Sequence, residues 1–331
     1  MKNACIVGYG AIGPVHANAI ANTEKANLYA VCEINPERAK RCTDKYSCIL
    51  YTNYDEMLTD EAIDVVHICT PHYLHKDMAI KALKAGKHVI LEKPVAMNRT
   101  EMQELTAYYD SDECRTKMCI MLQNRTNACV HKMRDILLND DETGKLSGII
   151  ATLSWKRDEA YYNQDEWRGK WATEGGGLLI NQAVHLMDLM VYFGGKIESI
   201  KSNISRWKVT NIEVEDTANA LIKYESGIYG VFNATNCHSC NSPFYLELQF
   251  EKMLLRYADG ALYRICGDNI DIIERDNKAA VGKAYWGRGH EGVVDAFYES
   301  LEGNEQPYTD IHDATEAMNM VFSMYEKGLT E

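Results

Sequence analysis

The first turn of this sequence is a glycine-rich run set between two regular patterns. Residues 3–7 are mostly apolar and predict a short buried strand, residues 8–13 read Gly-Tyr-Gly-Ala-Ile-Gly, and residues from 14 onward repeat apolar side chains at helical spacing. A G-x-G-x-x-G turn alone is a weak signal, but a preceding strand and a following helix are the context that dinucleotide-binding units require. The chain is therefore expected to begin with a parallel α/β fold.

Each position of this turn has a predicted role. Gly8 permits the tight turn, Gly10 lets the backbone approach a pyrophosphate, and Gly13 lets helix and strand pack closely. Ala11 and Ile12 lie at the N-terminus of the helix, which attracts anions. We assign all five residues to cofactor binding.

An acidic residue ends the second predicted strand, residues 28–32. Glu33 stands about 20 residues after the turn, where a carboxylate binds the ribose hydroxyls of adenosine. A carboxylate there repels a 2′-phosphate, so NAD is favoured over NADP. Arg38, one helical turn further on, partly offsets this preference.

A predicted strand over residues 88–92 carries an apolar run that ends abruptly in Glu92-Lys93-Pro94. The run predicts a parallel strand covered on both faces, and the proline stops it. Ligands of open α/β sheets lie outside the carboxyl ends of the strands, so Lys93 is expected at a ligand site. An exposed ion pair between Lys93 and Glu92 is the alternative explanation of the two charges.

The first domain is predicted from alternating strands and helices. A strand over 64–70 ends in Thr70-Pro71 on the same side as Lys93, and His75 begins the next helix. Together with helices at 36–46, 53–58, 75–85 and 99–109 and a strand at 117–123, this alternation predicts a doubly wound parallel sheet over residues 1–122.

The pattern changes at residue 123. Alternating segments typical of antiparallel strands and four helical segments follow, and they predict an α+β domain over 123–331 with an open, mostly antiparallel sheet. A return of the C-terminal helices to the first domain is compatible with this division. The strands are expected at 146–156, 197–207, 216–225, 228–236, 244–250, 253–258 and 261–266, and the helices at 127–138, 177–193, 290–302 and 312–327.

The second domain contains another polar cluster. Three glycines at 175–177 precede a largely apolar helix in which Asn181 and His185 stand four residues apart on one face. Asp188, one turn later, is positioned to orient the His185 ring. The alternative is a buried helix whose amide and imidazole are simply hydrogen-bonded. Upstream, Trp167-Arg168 adds an aromatic ring and a planar donor.

The composition indicates which classes of partner and which cellular compartment to expect. A net charge of −13 argues against nucleic-acid and anionic-membrane partners, and no apolar run approaches the ~20 residues of a membrane span. The N-terminus does not resemble a signal peptide, and an odd number of cysteines, 11, favours a reducing cytoplasm. Cys237-His238-Ser239-Cys240 has no second ligand pair nearby, so we expect no metal site.

These motifs, taken in order, resemble the glucose-fructose oxidoreductase/inositol dehydrogenase/rhizopine-catabolism (Gfo/Idh/MocA) family along essentially the whole chain. The residues that carry the resemblance are the glycine turn with His16, Thr70-Pro71 with His75, Glu92-Lys93-Pro94, Gln123-x-Arg125, Trp167-Arg168, and the three glycines with Asn181-x-x-x-His185-x-x-Asp188. The resemblance implies an N-terminal Rossmann domain and a C-terminal domain whose sheet is commonly used for oligomerisation, here a dimer or tetramer.

The resemblance also implies NAD(P)-dependent hydride transfer on a sugar, cyclitol or similar polyol. Lys93 corresponds to the active-site lysine of the family and His185 to its helix histidine. Asn181 departs from the family, because many members have Asp there, and a carboxylate relay at that position is in doubt. Cofactor contacts are carried over to Thr70, Pro71, His75, Glu92, Lys93, Gln123, Trp167 and Arg168.

Elementary chemistry assigns roles to the polar residues. His185 suits a general base, since a histidine has an ordinary pKa of about 6.5, and Lys93 stabilises negative charge on the substrate oxygen. The reverse assignment, with Lys93 as the base, stays open. Asn181 cannot accept a proton at neutral pH, so it positions the substrate. Two other functions remain open, a glycosidase using tightly held NAD and a non-catalytic NAD-binding regulator.

Overall fold

The computed structural model of this chain describes residues 1–139, 143–277, 288–303 and 308–328. The chain divides into two units, Met1–Gln123 with Ala279–Ala314 and Asn124–Lys278 with Thr315–Glu331. The predicted division after residue 122 lies next to the first boundary. That division assigned residues 123–331 to one domain but allowed for the C-terminal helices to pack on the first domain, and the structure assigns a late segment to the first unit.

The first unit is built on a six-stranded parallel sheet in the order β3-β2-β1-β4-β5-β6. This order is that of a doubly wound sheet, with its topological switch point between β1 and β4. The strands are β1 (Lys2–Val7), β2 (Ala26–Cys32), β3 (Ile49–Tyr51), β4 (Val65–Ile68), β5 (His88–Leu91) and β6 (Met118–Ile120).

Helices follow most of these strands. Each of α2, α3 and α5 begins after an Asn whose side chain accepts hydrogen bonds from the first-turn N–H groups, and α1 and α2 carry Pro near their first residue. The helices are α1 (Gly13–Ala21), α2 (Pro36–Tyr46), α3 (Tyr54–Leu58), α4 (His75–Lys84), α5 (Arg99–Tyr109) and, much later in the chain, α10 (Gly289–Leu301).

The late helix α10 completes the core of the first unit. Val293, Val294, Phe297 and Tyr298 are buried in the same cluster as the apolar residues of β1, α1 and β2. This burial explains why α10 packs in the first unit, since an apolar helix face is stabilised where it is removed from water.

The second unit contains eight strands among the residues that the structure describes. Their order is β14-β13-β12-β11-β7-β10-β9-β8, and all neighbouring pairs are antiparallel except β7 and β10. The strands are β7 (Leu146–Ser154), β8 (Ile197–Ser205), β9 (Thr217–Tyr224), β10 (Tyr229–Thr235), β11 (Tyr245–Phe250), β12 (Leu254–Ala258), β13 (Ala261–Cys266) and β14 (Asn269–Arg275).

The remaining helices are α6 (Ala128–Asn139), α7 (Glu159–Tyr162), α8 (Trp171–Glu174), α9 (Val184–Gly194) and α11 (Ile311–Gly328). The predicted fold class is confirmed, but some elements were not predicted. The strand β14 was not predicted, because every residue of this edge strand is exposed or half-buried and pairing with β13, not burial, forms it. The short helices α7 and α8 were not predicted either. The helical segment predicted over 177–193 is present, and it consists of a π-helical turn, Leu179–Ala183, followed by α9.

One face of the second sheet carries exposed apolar side chains. In β9 and β10 alternate residues such as Ile222 and Phe232 are buried, whereas Leu221, Tyr229 and Val231 are 60%, 63% and 44% exposed. Three large apolar side chains on adjacent strands form a contiguous patch of the kind that marks interaction surfaces.

Candidate active site

The parallel register brings four predicted site segments to one edge of the first sheet. Val7 is paired with Cys32 of β2 and Ile68 of β4, and Ile68 is paired with Leu91 of β5. The residues that follow these strand ends therefore lie side by side at the carboxyl edge of the sheet, where ligands of open α/β sheets bind. They include Gly8, Glu33, Thr70 and Lys93.

The three glycines of the turn differ in how closely the protein surrounds them. A Cβ at Gly8, whose φ is +87°, would lie 2.8 Å from the Cys69 carbonyl oxygen, and a Cβ at Gly13 would lie 2.7 Å from the Gly8 carbonyl oxygen. These two glycines pack against the protein itself. At Gly10 the nearest atom is the Arg38 Nη1, at 3.7 Å, so this backbone is open to a close ligand. Ile12 caps α1, whose N-terminus attracts anions.

Glu33 is mostly buried and braces the same turn. Its Oε2 accepts a hydrogen bond from the Tyr9 N–H at 2.6 Å, and its Oε1 accepts one from the Asn35 N–H at 2.8 Å. Each carboxylate oxygen can accept a second hydrogen bond, so ribose hydroxyls remain suitable donors. The structure thus adds a function that the spacing did not predict, because Glu33 also fixes the glycine turn.

Lys93 is half-buried at the end of a buried segment. Residues 89–92 and 94–96 are all buried, and the Lys93–Pro94 peptide bond is cis. Glu92 is only 6% exposed, which rules out the exposed ion pair considered from the sequence. Its Oε2 accepts a hydrogen bond from the Lys93 N–H at 3.2 Å.

A chain of buried polar side chains continues from Glu92 into the core. Its Oε1 lies 2.9 Å from the His16 Nε2, the Nδ1 atoms of His16 and His67 are 2.9 Å apart, and the His67 Nε2 lies 2.9 Å from the Tyr298 hydroxyl. An ionised carboxylate only accepts, so His16 donates to Glu92. The other two contacts extend this chain through His67 to the Tyr298 hydroxyl, so each of these buried polar groups has a hydrogen-bond partner.

Burial decides the charges of this chain. Burial alone raises the pKa of Glu92, but the hydrogen bond from His16 and the surrounding positive groups lower it to about 2. Burial lowers the pKa of His67 well below its ordinary value, and lowers the pKa of His290, whose Nε2 lies 3.8 Å from Glu92, to about 4. At neutral pH the carboxylate is therefore ionised and these two imidazoles are neutral.

His75 joins two strand ends. Its Nδ1 lies 2.7 Å from the Pro94 carbonyl oxygen and its Nε2 lies 2.9 Å from the Thr70 carbonyl oxygen. Burial lowers the pKa of His75, although both carbonyl groups act in the opposite direction. Thr70 and Pro71 are half-buried, whereas His75 is 1% exposed. His75 therefore stabilises the two strand ends from a buried position.

In the second unit, Asn181 and His185 share one half-buried face. Between residues 178 and 191 all other side chains are buried. Asn181 lies in the π-helical turn and His185 in the first turn of α9. π-helical turns inside helices frequently occur at functional sites. The predicted pairing of these two polar residues on an apolar segment is therefore present in the structure.

Two of the three glycines before this turn, Gly176 and Gly177, pack closely against the protein. A Cβ at Gly176, whose φ is +149°, would lie 2.0 Å from the Tyr325 hydroxyl, and one at Gly177 would lie 2.2 Å from the Glu215 carbonyl oxygen. The Glu215 carboxylate accepts hydrogen bonds from the Gly177 N–H, the Leu179 N–H and the Tyr325 hydroxyl. Burial raises the pKa of Glu215 to about 7 against the effect of these donors.

Asn181 is held by a carboxylate that the sequence did not single out. Its Nδ2 donates to the Oε1 of the fully buried Glu174 at 2.5 Å, and the Gly169 N–H donates to Glu174 Oε2 at 2.5 Å. The only sequence signal was the position of Glu174 directly before the glycines. Identifying its partner required the three-dimensional structure.

Trp167 and Arg168 are connected to the π-helical turn through Tyr161. The Arg168 guanidinium lies over the rings of Trp167 and Tyr161, 4.5 and 4.7 Å from their centroids, and its Nη1 donates to the Tyr161 hydroxyl at 2.6 Å. Gln182 of the π-helical turn also donates to this hydroxyl, at 3.1 Å.

Two further residues that carried the family resemblance, Gln123 and Arg125, lie in the same short turn. Gln123 is buried at the start of a short 3₁₀ turn, Gln123–Thr126. Arg125 in that turn donates to both carboxylate oxygens of Asp188, at 2.9 and 2.7 Å, in a buried bidentate pair. Asp188 thus ties α9 to this turn, a role that its spacing from His185 did not predict.

None of the helices in residues 1–139, 143–277, 288–303 and 308–328 is both long and apolar enough to cross a membrane. Within the same ranges, His, Cys, Asp and Glu side chains do not form a group of three or more suited to a metal ion.

Two family models match this chain over most of its length. One, described as oxidoreductase family, NAD-binding Rossmann fold, matches residues 2–119, and the other, described as GFO/IDH/MocA C-terminal domain, matches residues 130–256.

Individual relatives are dehydrogenases. Glucose-6-phosphate 3-dehydrogenase of Bacillus subtilis is 25% identical over 288 residues, 83% of this chain and 79% of that protein. Myo-inositol 2-dehydrogenase of Thermotoga maritima is 22% identical over 305 residues, 90% of this chain and 85% of that protein.

A solved structure agrees along almost the whole chain. The WlbA dehydrogenase of Chromobacterium violaceum, crystallised with NADH and UDP-GlcNAcA, has a TM-score of 0.86 and 25% sequence identity, and the match covers 98% of this chain and 93% of that one. The chain therefore belongs to the Gfo/Idh/MocA oxidoreductase family and is an NAD-binding dehydrogenase whose first unit is a Rossmann domain.

Proposed function

We propose that this dehydrogenase transfers a hydride between NAD and a secondary alcohol of a sugar, cyclitol or sugar derivative. The observation that carries the proposal is the position of Lys93, the half-buried end of a buried strand at the edge that also carries the glycine turn. The named activities of the relatives, on glucose 6-phosphate and myo-inositol, support a polyhydroxylated substrate.

The cofactor would be held mainly by backbone and carboxylate groups of the first unit. Gly8, Gly10 and Gly13 and the N-terminus of α1 suit the pyrophosphate, and Glu33 suits the adenosine ribose. We assign the nicotinamide half to the Thr70-Pro71 and Glu92-Lys93 strand ends, braced by His75. Cofactor contacts from Gln123, Trp167 and Arg168 are part of the same proposal.

Two side chains would handle the substrate hydroxyl. The bound nicotinamide supplies the hydride acceptor. His185 takes the hydroxyl proton as general base, a role for which its half-buried position at the start of α9 leaves it accessible. Lys93 stabilises the negative charge that develops on the oxygen. The reverse assignment of Lys93 and His185 has the same proton balance, and a pH–rate profile of each single variant separates the two.

Asn181 would position the substrate by hydrogen bonding. Its amide exchanges no proton at neutral pH, so it takes no part in proton transfer. Its place on the half-buried face shared with His185 supports contact with a hydroxyl group of the ligand. On this proposal, residues 1–122 supply most of the cofactor contacts and residues 123–331 supply most of the substrate contacts.

The proposal is tested by measuring NAD⁺ reduction by the absorbance of NADH across sugars, cyclitols, sugar phosphates and sugar nucleotides. Saturable reduction with at least one of these classes is expected. A chain that binds NADH but oxidises none of these alcohols and reduces none of the corresponding ketones would contradict the proposal.

The sheet of the second unit supports assembly into a homodimer or homotetramer. Leu221, Tyr229 and Val231 expose apolar surface on adjacent strands, and burying such a patch against a second copy is favourable. All eleven cysteines are free thiols, which supports a cytoplasmic setting.

A further inference from the structure

We propose that Glu174 is a positioning residue that fixes the orientation of the Asn181 amide, so that Asn181 presents its carbonyl oxygen as a hydrogen-bond acceptor to a substrate hydroxyl. The inference rests on the proposed function, because it takes Asn181 to contact the substrate. It adds Glu174 to the site, and it fixes the direction of the hydrogen bond to Asn181, because the substrate hydroxyl must donate to the Asn181 carbonyl oxygen.

Glu174 is held rigidly at the end of α8. It is 0% exposed, and its N–H donates to the Lys170 carbonyl oxygen at 2.9 Å. Its Oε2 accepts from the Gly169 N–H at 2.5 Å. Gly169, at φ +73°, is itself packed so closely that a Cβ there would lie 2.7 Å from Ile212. Neither partner of this bond can move easily, so the second oxygen of Glu174 has a fixed direction.

That second oxygen determines which end of the Asn181 amide faces it. Glu174 Oε1 lies 2.5 Å from Asn181 Nδ2. A carboxylate has only acceptor atoms, so the amide must turn its NH₂ group toward Glu174 and its Oδ1 the opposite way. Asn181 itself is anchored by its N–H, which donates to the Gly177 carbonyl oxygen at 3.1 Å. The amide therefore has one orientation that satisfies both residues.

The same geometry explains why a buried carboxylate is tolerated at position 174. A buried carboxylate is costly unless donors surround it, and the Gly169 N–H and Asn181 NH₂ supply them. The pair acts as a unit in which Glu174 accepts both hydrogen bonds and Asn181 carries a neutral acceptor to the half-buried face. A hydroxyl donor on the substrate complements that acceptor.

Glu174→Gln tests the proposal because it should reverse the amide. The Gln oxygen would accept from the Gly169 N–H, and its NH₂ would then donate to Asn181 Oδ1, which turns Asn181 Nδ2 toward the substrate. Two donors would face each other there. We expect kcat/KM to fall about tenfold to a hundredfold, mostly through KM, since an unpaired polar contact costs that much.

Asn181→Asp is the complementary variant. It would set two carboxylates at hydrogen-bond distance, and like charges this close raise the pKa of one of them, so its kcat/KM should also fall and should fall further as the pH rises. In the double variant Glu174→Gln/Asn181→Asp, the Gln NH₂ donates to one Asp oxygen and the other oxygen again faces the substrate. Its kcat/KM should return to within about tenfold of wild type. Glu166→Gln, an exposed change in the same region, should leave kcat/KM unchanged.

Recovery in the double variant supports the proposal, because a purely structural Glu174 would give additive losses. Additive losses, or a Glu174→Gln enzyme with wild-type kcat/KM, overturn it while leaving the proposed function intact. A wild-type enzyme inactive on every polyol defeats the proposed function instead.

If the wild-type enzyme is inactive, the orientation of the amide is read from the side-chain NH₂ resonance of Asn181, which is assigned by its absence in Asn181→Asp. An unchanged resonance in Glu174→Gln overturns the proposal, and if Glu174→Gln does not fold, the pH dependence of Asn181→Asp decides it.

Discussion

The Nε2 of His16 lies 2.9 Å from the Oε1 of Glu92 in the core of the Rossmann domain. This contact joins the helix after the glycine turn to the residue that precedes Lys93. One buried hydrogen bond thus connects the helix after the glycine turn to the strand end at Glu92, and further contacts continue from His16 through His67 to Tyr298. Changes at these buried residues are expected to affect stability first and activity through it.

The first prediction is a loss of stability in acid. His290 has a folded pKa of about 4 against an ordinary value of about 6.5, so the unfolded chain binds more protons between these values and the free energy of unfolding falls as the pH falls through that window. His67 acts in the same direction. The low pKa of Glu92, about 2, extends the loss from about pH 4.5 toward pH 2. His290 alone contributes on the order of 3 kcal/mol.

His290→Gln should reduce the pH slope of the unfolding free energy between about pH 6.5 and 4, measured by chemical denaturation. The raised pKa of Glu215, about 7, acts oppositely, since its contribution is lost as the pH rises from about 4.5 to 7. This term cancels when variant and wild type are compared. His131→Gln, at an exposed position, is the control. Equal slopes for His290→Gln and wild type would show that His290 does not titrate as described.

The second prediction concerns Glu33 and the cofactor. Glu33→Gln would set its NH₂ against the N–H of Tyr9 or Asn35, and one unsatisfied donor costs about 1–3 kcal/mol. NAD(H) binding should weaken roughly tenfold or more, and the preference over NADP(H) should narrow because a negative charge is removed. Calorimetric titration of both cofactors measures this, with the exposed Glu37→Gln as control. Tighter NADP(H) binding by wild type would contradict the assignment.

The third prediction separates two explanations of the glycine run. If Gly176 is required by Tyr325, then Gly176→Ala should destabilise the fold by more than ~3 kcal/mol, because its Cβ would overlap the tyrosine hydroxyl. Tyr325→Ala removes the obstacle, so the double variant should lose much less than the sum of the single losses. Gly267→Ala, also at positive φ but with open space around it, should cost only about 1 kcal/mol. Full additivity would mean that the glycine serves a ligand instead.

The fourth prediction concerns assembly. Light scattering should give a mass of at least two chains of 37.5 kDa. Leu221→Glu places a charge in the exposed apolar patch and should shift the mass toward one chain, since an unpaired charge is costly in an interface. Trp207→Ser, at another exposed position, should leave the mass unchanged. A monomeric mass for the wild-type protein at micromolar concentration would contradict the proposed assembly.

The sequence predicted those features whose causes are local. The glycine turn, the strand ending at Glu92-Lys93 and the shared face of Asn181 and His185 depend on short spacings, and the structure contains all three. The contact of Tyr325 with Gly176, which comes from far along the chain, was not predicted. A return of the C-terminal helices to the first domain was considered from the sequence, but only the structure identifies α10 as the helix that lies in that core.

Side-chain roles were predicted less well than positions. Glu33 was expected to bind ribose hydroxyls, but spacing cannot reveal that its oxygens also brace the glycine turn. Glu174 had no motif of its own, since its importance comes from the fold that brings Gly169 and Asn181 to it. The strand β14 depends on pairing with β13, and its own burial pattern gives little signal.

The central claim is that Lys93 and His185 act on one substrate hydroxyl. The most direct test is a double-mutant cycle on kcat, using Lys93→Met, His185→Ala and the double variant with the best alcohol of the substrate panel. Each single change should lower kcat by roughly 10²–10⁴-fold while NADH binding stays nearly intact, because the glycine turn and Glu33 hold the other half of the cofactor. The double variant should lose much less than the product of the single losses. Fully multiplicative losses, or near-normal turnover by His185→Ala, would contradict it.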